Sequence, residues 1–320
     1  MYERQPIFLK PNFKDRIWGG TNLREKFDYD IPTETTGECW GISAHSNGPS
    51  EILNGPLNGK TLDIIWKENQ DLFRNEGGEH FPLLIKILDA NNDLSVQVHP
   101  DDSYAREVEN EAYGKTECWY ILDCEEDSEI IFGHHAQSRE EFQQLIEEGK
   151  WDSLLRSIKI KPGEFYYVPS GTIHAIGKGT MILETQQSSD TTYRVYDYDR
   201  TDSNGNKRDL HIAQSIEVST VPHEDPELHP KREVKEGLVQ TELVKEQYFT
   251  VWKWEVNGHV QQATNGDYLL VSVLSGEGSI GVKDEDALSI MKGDHFIIPS
   301  TMKEFVVEGK LEMMVSKSNG

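Results

Sequence analysis

Lys161-Pro-Gly163-Glu-Phe-Tyr-Tyr-Val-Pro169-Ser-Gly171-Thr-Ile-His174 is answered near the C-terminus by Met291-Lys-Gly293-Asp-His-Phe-Ile-Ile-Pro299-Ser-Thr301-Met-Lys-Glu304. Both copies read glycine, an acid, four mostly aromatic or aliphatic residues, then Pro-Ser. Glycine makes a tight turn, the apolar run makes a strand, and proline ends pairing because it has no N–H to donate. Self-similarity of this kind marks two related β units. The second copy departs where chemistry would matter: Thr301 stands for Gly171 and Glu304 for His174.

Outward from this repeat the pattern stays that of a β protein. Short aromatic or β-branched runs bounded by Gly, Pro, Asn and Asp predict strands at Leu94–Val98, Cys118–Leu122, Glu129–Phe132, Glu164–Val168, Met181–Thr185, Tyr193–Tyr198, Phe249–Val256, Tyr268–Leu274 and His295–Ile298. Helices are few. Leu62, Ile65, Trp66 and Phe73 fall on one stripe from Thr61 to Phe73, and Ser138 with Glu141 forms a capping box ahead of Phe142, Leu145 and Ile146. The acidic segment Asp102–Glu111 is a third candidate. Many strands with few helices predict a sandwich or barrel, not alternating β-α-β units. Val221–Lys235, rich in Pro, His and Glu, reads as a linker, which divides the chain into 1–235 and 236–320. The polar stretch Asp199–Arg208 is a candidate flap.

Composition excludes several classes. Lys+Arg 32 against Asp+Glu 56 gives a net charge of −24, a field that repels nucleic acid and anionic lipid. No apolar h-region opens the sequence and no run approaches the roughly 18 residues of a membrane helix, so a cytoplasmic protein is expected. Cys39, Cys118 and Cys124 have no C-x-x-C spacing, which argues against a disulfide scaffold and a thiolate metal site.

One constellation stands out. Gln97 and His99 sit at i and i+2, hence on one face of a strand, Glu117 lies on the next strand, and His174 follows the Pro-Ser-Gly-Thr turn. Two imidazoles, a carboxylate and an amide oxygen suit zinc, and on spacing alone iron or manganese equally. Singly, each residue reads as an ordinary strand or turn residue.

Together they resemble a known family. Gly163-x5-Pro169-x-Gly171-x2-His174 fits the second metal motif of the cupins, and Gln97-x-His99 with Glu117 resembles the first. Gln97-Val-His99-Pro-Asp101 is similar to the Q-x-H-P-D run of type I mannose-6-phosphate isomerases. Ile17-Trp18-Gly19-Gly20, Gly37-Glu38-Cys39-Trp40 with Ser43-Ala44-His45, Lys115-Thr116-Glu117 and Glu184-Thr-Gln-Gln-Ser-Ser-Asp190-Thr-Thr-Tyr-Arg194 also look like that family. The resemblance runs from about Gln5 to the C-terminus, and Tyr193–Arg200 resembles the short bacterial branch.

The resemblance implies a mainly β chain of two cupin (jelly-roll) β-barrels with a few short helices, the second lacking a metal. It implies one zinc ion per chain on Gln97, His99, Glu117 and His174, and interconversion of mannose 6-phosphate and fructose 6-phosphate by a monomer or homodimer. It makes Arg194 the catalytic arginine, with Glu184, Asp190 and Lys115 in the site. Lys86, Ser95 and Lys115 become substrate-facing, phosphate-proximal groups, with Trp18 bordering the pocket. The chain departs from larger members, whose helical domain has no counterpart beyond Ala136–Arg156, and after Arg194 it continues Val-Tyr-Asp-Tyr-Asp-Arg.

The chemistry is coherent. Aldose–ketose exchange needs a positioned base and a cationic hold on an enediolate oxygen. Glu184, Asp190, a histidine or a metal-bound hydroxide would each serve as base. Lys86, Lys115, Arg194 and Arg200 are the candidate cations for a phosphate, and Lys115 shares the face of Glu117 two residues on. Two other classes fit in part: an iron cupin dioxygenase, and a non-catalytic sugar-phosphate-binding double cupin. Trp18, Trp40 and Trp119 read as core or wall aromatics. His134-His135 face opposite ways on a strand, so joint metal binding is not expected, and Glu107–Glu111 and Asp284–Asp286 read as solvated surface.

Overall fold

A computed structural model describes residue 2 and residues 4–201, 205–283 and 286–320. It is mainly β, with few short helices. Three sheets stack. The middle one has six strands in the order Phe165–Val168, Glu117–Cys124, Thr180–Gln187, Leu83–Ala90, Thr36–Ile42 and Asn12–Gly20. Three of these, Thr36–Ile42, Leu83–Ala90 and Thr180–Gln187, are buried along their whole length because both faces of the sheet are covered. Cys39, Ile85, Ile87, Cys118, Tyr120, Met181 and Leu183 pack on one face. On the other, Leu88, Trp119, Ile121, Val168 and Ile182 meet Ile130, Phe132 and Ile176 of a five-stranded sheet. That sheet runs Tyr193–Tyr196, Val96–Val98, His174–Ile176, Glu129–His134 and Leu155–Lys159. The two sheets face each other as the jelly-roll sandwich, and among the described residues no strand pairing closes them edge to edge.

The third sheet, of nine strands, holds the C-terminal cupin and wraps its own core of Trp254, Val271, Phe296, Phe305, Val307 and Val315. It also takes in Ile7–Lys10, Glu51–Ile52 and Lys231–Lys235. Ile7–Lys10 pairs with the repeat strand His295–Ile298. Cutting the chain after residue 235 would therefore leave three strands in the sheet of the other part. The repeat is visible in the backbone: Gly163 and Gly293 have φ of +92° and +93°, and each precedes its strand.

Strands extend beyond their sequence-read limits, Phe249 to Ala263 and Leu269 to Gly281, because long cross-strand partners continue the ladder. The helix from Ser138 forms as read, with Ser138 accepting from the Glu141 amide. The stripe from Thr61 does not make one helix. Leu62–Glu68 stops at Asn69, and a 3-10 turn, Gln70–Phe73, swings Phe73 onto Trp66, Phe81 and Tyr268. Asp102–Glu111 becomes an α turn, Asp102–Tyr104, and a π segment, Ala105–Glu109. Asn22–Phe27 and Ile212–Val218 are helices too short for periodicity to reveal. Among the described residues no helix is long and apolar enough to cross a membrane. The three cysteines are free. Asp202, Ser203 and Asn204 of the candidate flap, and Asp284 and Glu285 of the acidic cluster, lie outside the described residues.

Candidate metal centre and active site

Cross-strand registry builds the site. On the inner face of the six-stranded sheet, Trp40, Lys86, Glu184 and Trp119 stand side by side in one row. On the five-stranded sheet opposite, Arg194, Gln97 and His174 form another. Neighbours in such rows are about 5 Å apart at Cβ. Residues far apart in sequence thus become contacts.

Where the rows meet, His99, Glu117 and His174 bring one ligand atom each within 4.8 Å of one another, and all three are buried. His99 Nε2 lies 3.5 Å from Glu117 Oε2, and His174 Nε2 lies 3.4 Å from Glu117 Oε1. The other nitrogens are engaged: His99 Nδ1 is 3.0 Å from the Thr191 carbonyl and His174 Nδ1 is 2.8 Å from the Thr172 carbonyl. A carbonyl can only accept, so each Nδ1 carries the proton and each Nε2 presents a lone pair to the same point. Burial, then Lys115, lowers His99 to about 3, and burial lowers His174, so both rings stay neutral. Burial alone would raise Glu117, but Lys115 and His99 outweigh it and hold the carboxyl well below the usual range.

His174 Nε2 is buried without a hydrogen bond. The Lys115 ammonium sits 3.0 Å from both His99 Nε2 and Glu117 Oε2, a cation at the focus of two donors. Two neutral imidazoles and an ionised carboxylate, converging and under-partnered, fit a divalent metal. Gln97, beside His174 in register, faces the same space. Among the described residues no other His, Cys, Asp or Glu group converges in this way. His134 is buried and bonded to the Thr220 carbonyl, while His135 is exposed.

Beside the His99–Glu117–His174 group, reached by Gln97 and Lys115, opens a cavity of about 370 Å³. Trp18, Lys86, Ser95, Gln97, Lys115, Glu184, Asp190 and Arg194 all line it. Glu184 is pushed up to about 7, by burial first and by the like charge of Glu117 second. Its Oε1, 3.5 Å from Lys86 Nζ, has no hydrogen bond. Burial tends to lower Lys115, and Glu117 with Glu184 more than reverses this. Asp190 is exposed, held by Asn47 Nδ2 at 3.3 Å.

Four polar lining residues were missed. Arg16, two residues before Trp18 on its strand, pairs with Glu38 at 2.7 Å. Glu38 also accepts from Trp40 Nε1 at 2.6 Å. The i, i+2 rule applied to Trp18 and Trp40 would have found both. Thr192 and Arg208 carry no such signal. Arg200, offered by sequence as a pocket cation, instead pairs with Asp197 and does not line the cavity. Nor is Trp119 only a wall: its indole N–H reaches Glu117 Oε1 at 2.9 Å and Glu184 Oε2 at 3.2 Å.

Comparison with known proteins agrees with this geometry. Residues 7–134 match the model of the phosphomannose isomerase type I catalytic domain, and residues 239–318 that of the mannose-6-phosphate isomerase cupin domain. The chain is 54% identical over 315 residues to a mannose-6-phosphate isomerase of Streptococcus mutans, covering 98% of this chain and 99% of that one. It is 55% identical over 313 residues to the probable mannose-6-phosphate isomerase GmuF of Bacillus subtilis, covering 97% and 98%. Among solved structures, that of a mannose 6-phosphate isomerase from Bacillus subtilis aligns with a TM-score of 0.95 at 52% identity, over 98% of this chain and 99% of the other.

Proposed function

The chain belongs to the type I phosphomannose isomerase family, and on that premise we propose that it interconverts D-mannose 6-phosphate and D-fructose 6-phosphate with one zinc ion per chain. The observation that carries this reading is the buried His99–Glu117–His174 group, joined through Lys115 to a cavity with a carboxyl, Glu184, poised near neutrality. Gln97, His99, Glu117 and His174 would hold the metal. When bound, it supplies a Lewis acid that polarises the sugar's oxygens.

The chain's own residues supply the rest. Glu184 takes the proton from one of the two adjacent carbons and returns it to the other, since a carboxyl near 7 can both accept and donate. Trp119 fixes Glu184 beside Glu117 through one shared indole. Lys86 faces Glu184 and sits 5.2 Å from the Trp40 ring centroid, so it steadies the ionised form. Lys115, between His99 and Glu117, and Ser95 offer donors to the sugar oxygens. Arg194 stabilises negative charge developing on the enediolate, and Trp18 walls the ring. Asp190 borders the mouth. Residues 236–320 lack the ligand set and are proposed to be metal-free.

Metal analysis of the purified protein, paired with a coupled assay for fructose 6-phosphate, tests the reading. Zinc near one per chain with turnover is expected. A redox-active metal with oxygen-dependent activity would replace this reading with that of a dioxygenase. Arg194→Lys is expected to lower kcat more than it raises KM at unchanged metal content, because lysine lacks the planar fork. Near-normal kcat would remove Arg194 from the reacting groups.

A further inference from the structure

The cations around the cavity are not equivalent. Arg16 is paired with Glu38 at 2.7 Å, Lys86 with Glu184 at 3.5 Å and Lys115 with Glu117 at 3.0 Å. A dianion approaching any of these meets a carboxylate as well. Arg194 differs: among the described residues no carboxylate lies within ion-pair distance, and its guanidinium donates to the Asp209 carbonyl while Nε is buried without a partner. Burial, then the like charge of Arg208, lowers its affinity for its proton.

Arg208 lines the same cavity, and Asp197 holds it by two bonds. Nε donates to Oδ2 at 2.8 Å and Nη2 to Oδ1 at 2.6 Å. Asp197 is only 5% exposed, and the same carboxylate takes Nε and Nη2 of Arg200 at 2.9 and 2.7 Å. Arg200 is directed away, to the Asp93 carbonyl and the Tyr198 ring. Three arginines, Arg194, Arg200 and Arg208, thus face the carboxylates of Asp197 and the nearby Asp209, which leaves this side of the cavity with a surplus of positive charge. A two-point grip on Nε and Nη2 orients a guanidinium plane and leaves its far edge to a ligand.

We infer that Arg208, oriented by Asp197, is the seat for the phosphate of the substrate, with the unpaired Arg194 beside it left free for the enediolate. This rests on the sugar-phosphate reading above. It moves the phosphate away from Lys86 and Lys115, whose charges are already met by the catalytic and metal-binding carboxylates. Asp197 is a positioning residue. Arg208 is a specificity determinant that sequence spacing did not reveal.

The test has two arms. Calorimetric titration of inorganic phosphate into wild type, Arg208→Ala, Arg208→Lys and Arg200→Ala reads the seat without turnover. Steady-state kinetics on mannose 6-phosphate reads it within the reaction. Arg208→Ala is expected to weaken phosphate binding about 10- to 100-fold and to raise KM comparably, with a smaller fall in kcat. Arg208→Lys, which keeps the charge and loses the fork, recovers part of both. Asp197→Asn raises KM at unchanged metal content. Arg200→Ala leaves phosphate affinity and KM near wild type. Absent phosphate binding in wild type, equal binding in Arg208→Ala, or an Arg200→Ala shift as large as that of Arg208→Ala overturns the inference. Phosphate binding that depends on Arg208 in a protein without turnover would instead sink the isomerase reading and keep the seat.

Discussion

Replacing His174 by alanine strips the metal and abolishes turnover, whereas replacing His295, which stands where Phe165 stands in the first repeat, does neither. His174 offers a lone pair at Nε2 into a buried triad in which its Nδ1 is already fixed by the Thr172 carbonyl. Losing a direct ligand should exceed the ~10- to 100-fold that losing an outer partner costs. His295 is equally buried, but both of its nitrogens are engaged by hydroxyls, Nδ1 by Ser272 at 2.8 Å and Nε2 by Tyr29 at 2.9 Å. It packs beside Gly41 and Cys39, and Cys39 points to the face of the six-stranded sheet opposite the metal centre. Burial lowers it to about 4, so it is a neutral core residue at neutral pH. His295→Ala should cost about 2–4 kcal/mol of stability, since it empties a packed site and removes the partner of Ser272, while Tyr29 keeps the Gly293 carbonyl. Metal content and kcat should stay near wild type. Two tightly held metals per chain, or metal loss in the His295 variant, would mean the second repeat is functional after all.

Glu184→Gln should lower kcat by about 10²- to 10⁴-fold while the metal stays bound. The amide oxygen can still accept from Trp119, so the row Lys86–Glu184–Trp119 keeps its packing and only the proton carrier is lost. The pH profile carries the sign. A carboxyl raised to about 7 is the competent base only above that value, so kcat should fall as pH drops through about 7 in wild type. The residual rate of the variant should lack that limb. Retained activity in Glu184→Gln together with its loss in Asp190→Asn would transfer the role to Asp190.

Much of this was legible in one dimension. Gln97-x-His99, Lys115-x-Glu117 and Gly171-x2-His174 are local patterns, and alternation on a strand or a glycine turn makes each pair coherent without knowledge of partners. Gly171 takes φ of +84°, and a Cβ there would lie 2.6 Å from Thr220 Oγ1, so this turn tolerates no side chain. Thr301, which replaces it in the second repeat, is not among the residues with positive φ. Loss of that turn and of the histidine belong together, and both are written in the sequence.

What the sequence by itself determined, then, was the repeat, the mainly β architecture, the candidate ligand set and the family, because each depends on residue type at short fixed spacing. What only the tertiary structure decided was which charges meet. Trp119 joins Glu117 to Glu184, Asp197 clamps Arg208 and not only Arg200, and Glu38 neutralises Arg16. Such pairings are set by cross-strand register and by loops that return from tens of residues away. A carboxyl reaches a pKa near 7, and a guanidinium stays unpaired, only through the burial and neighbours that this packing imposes.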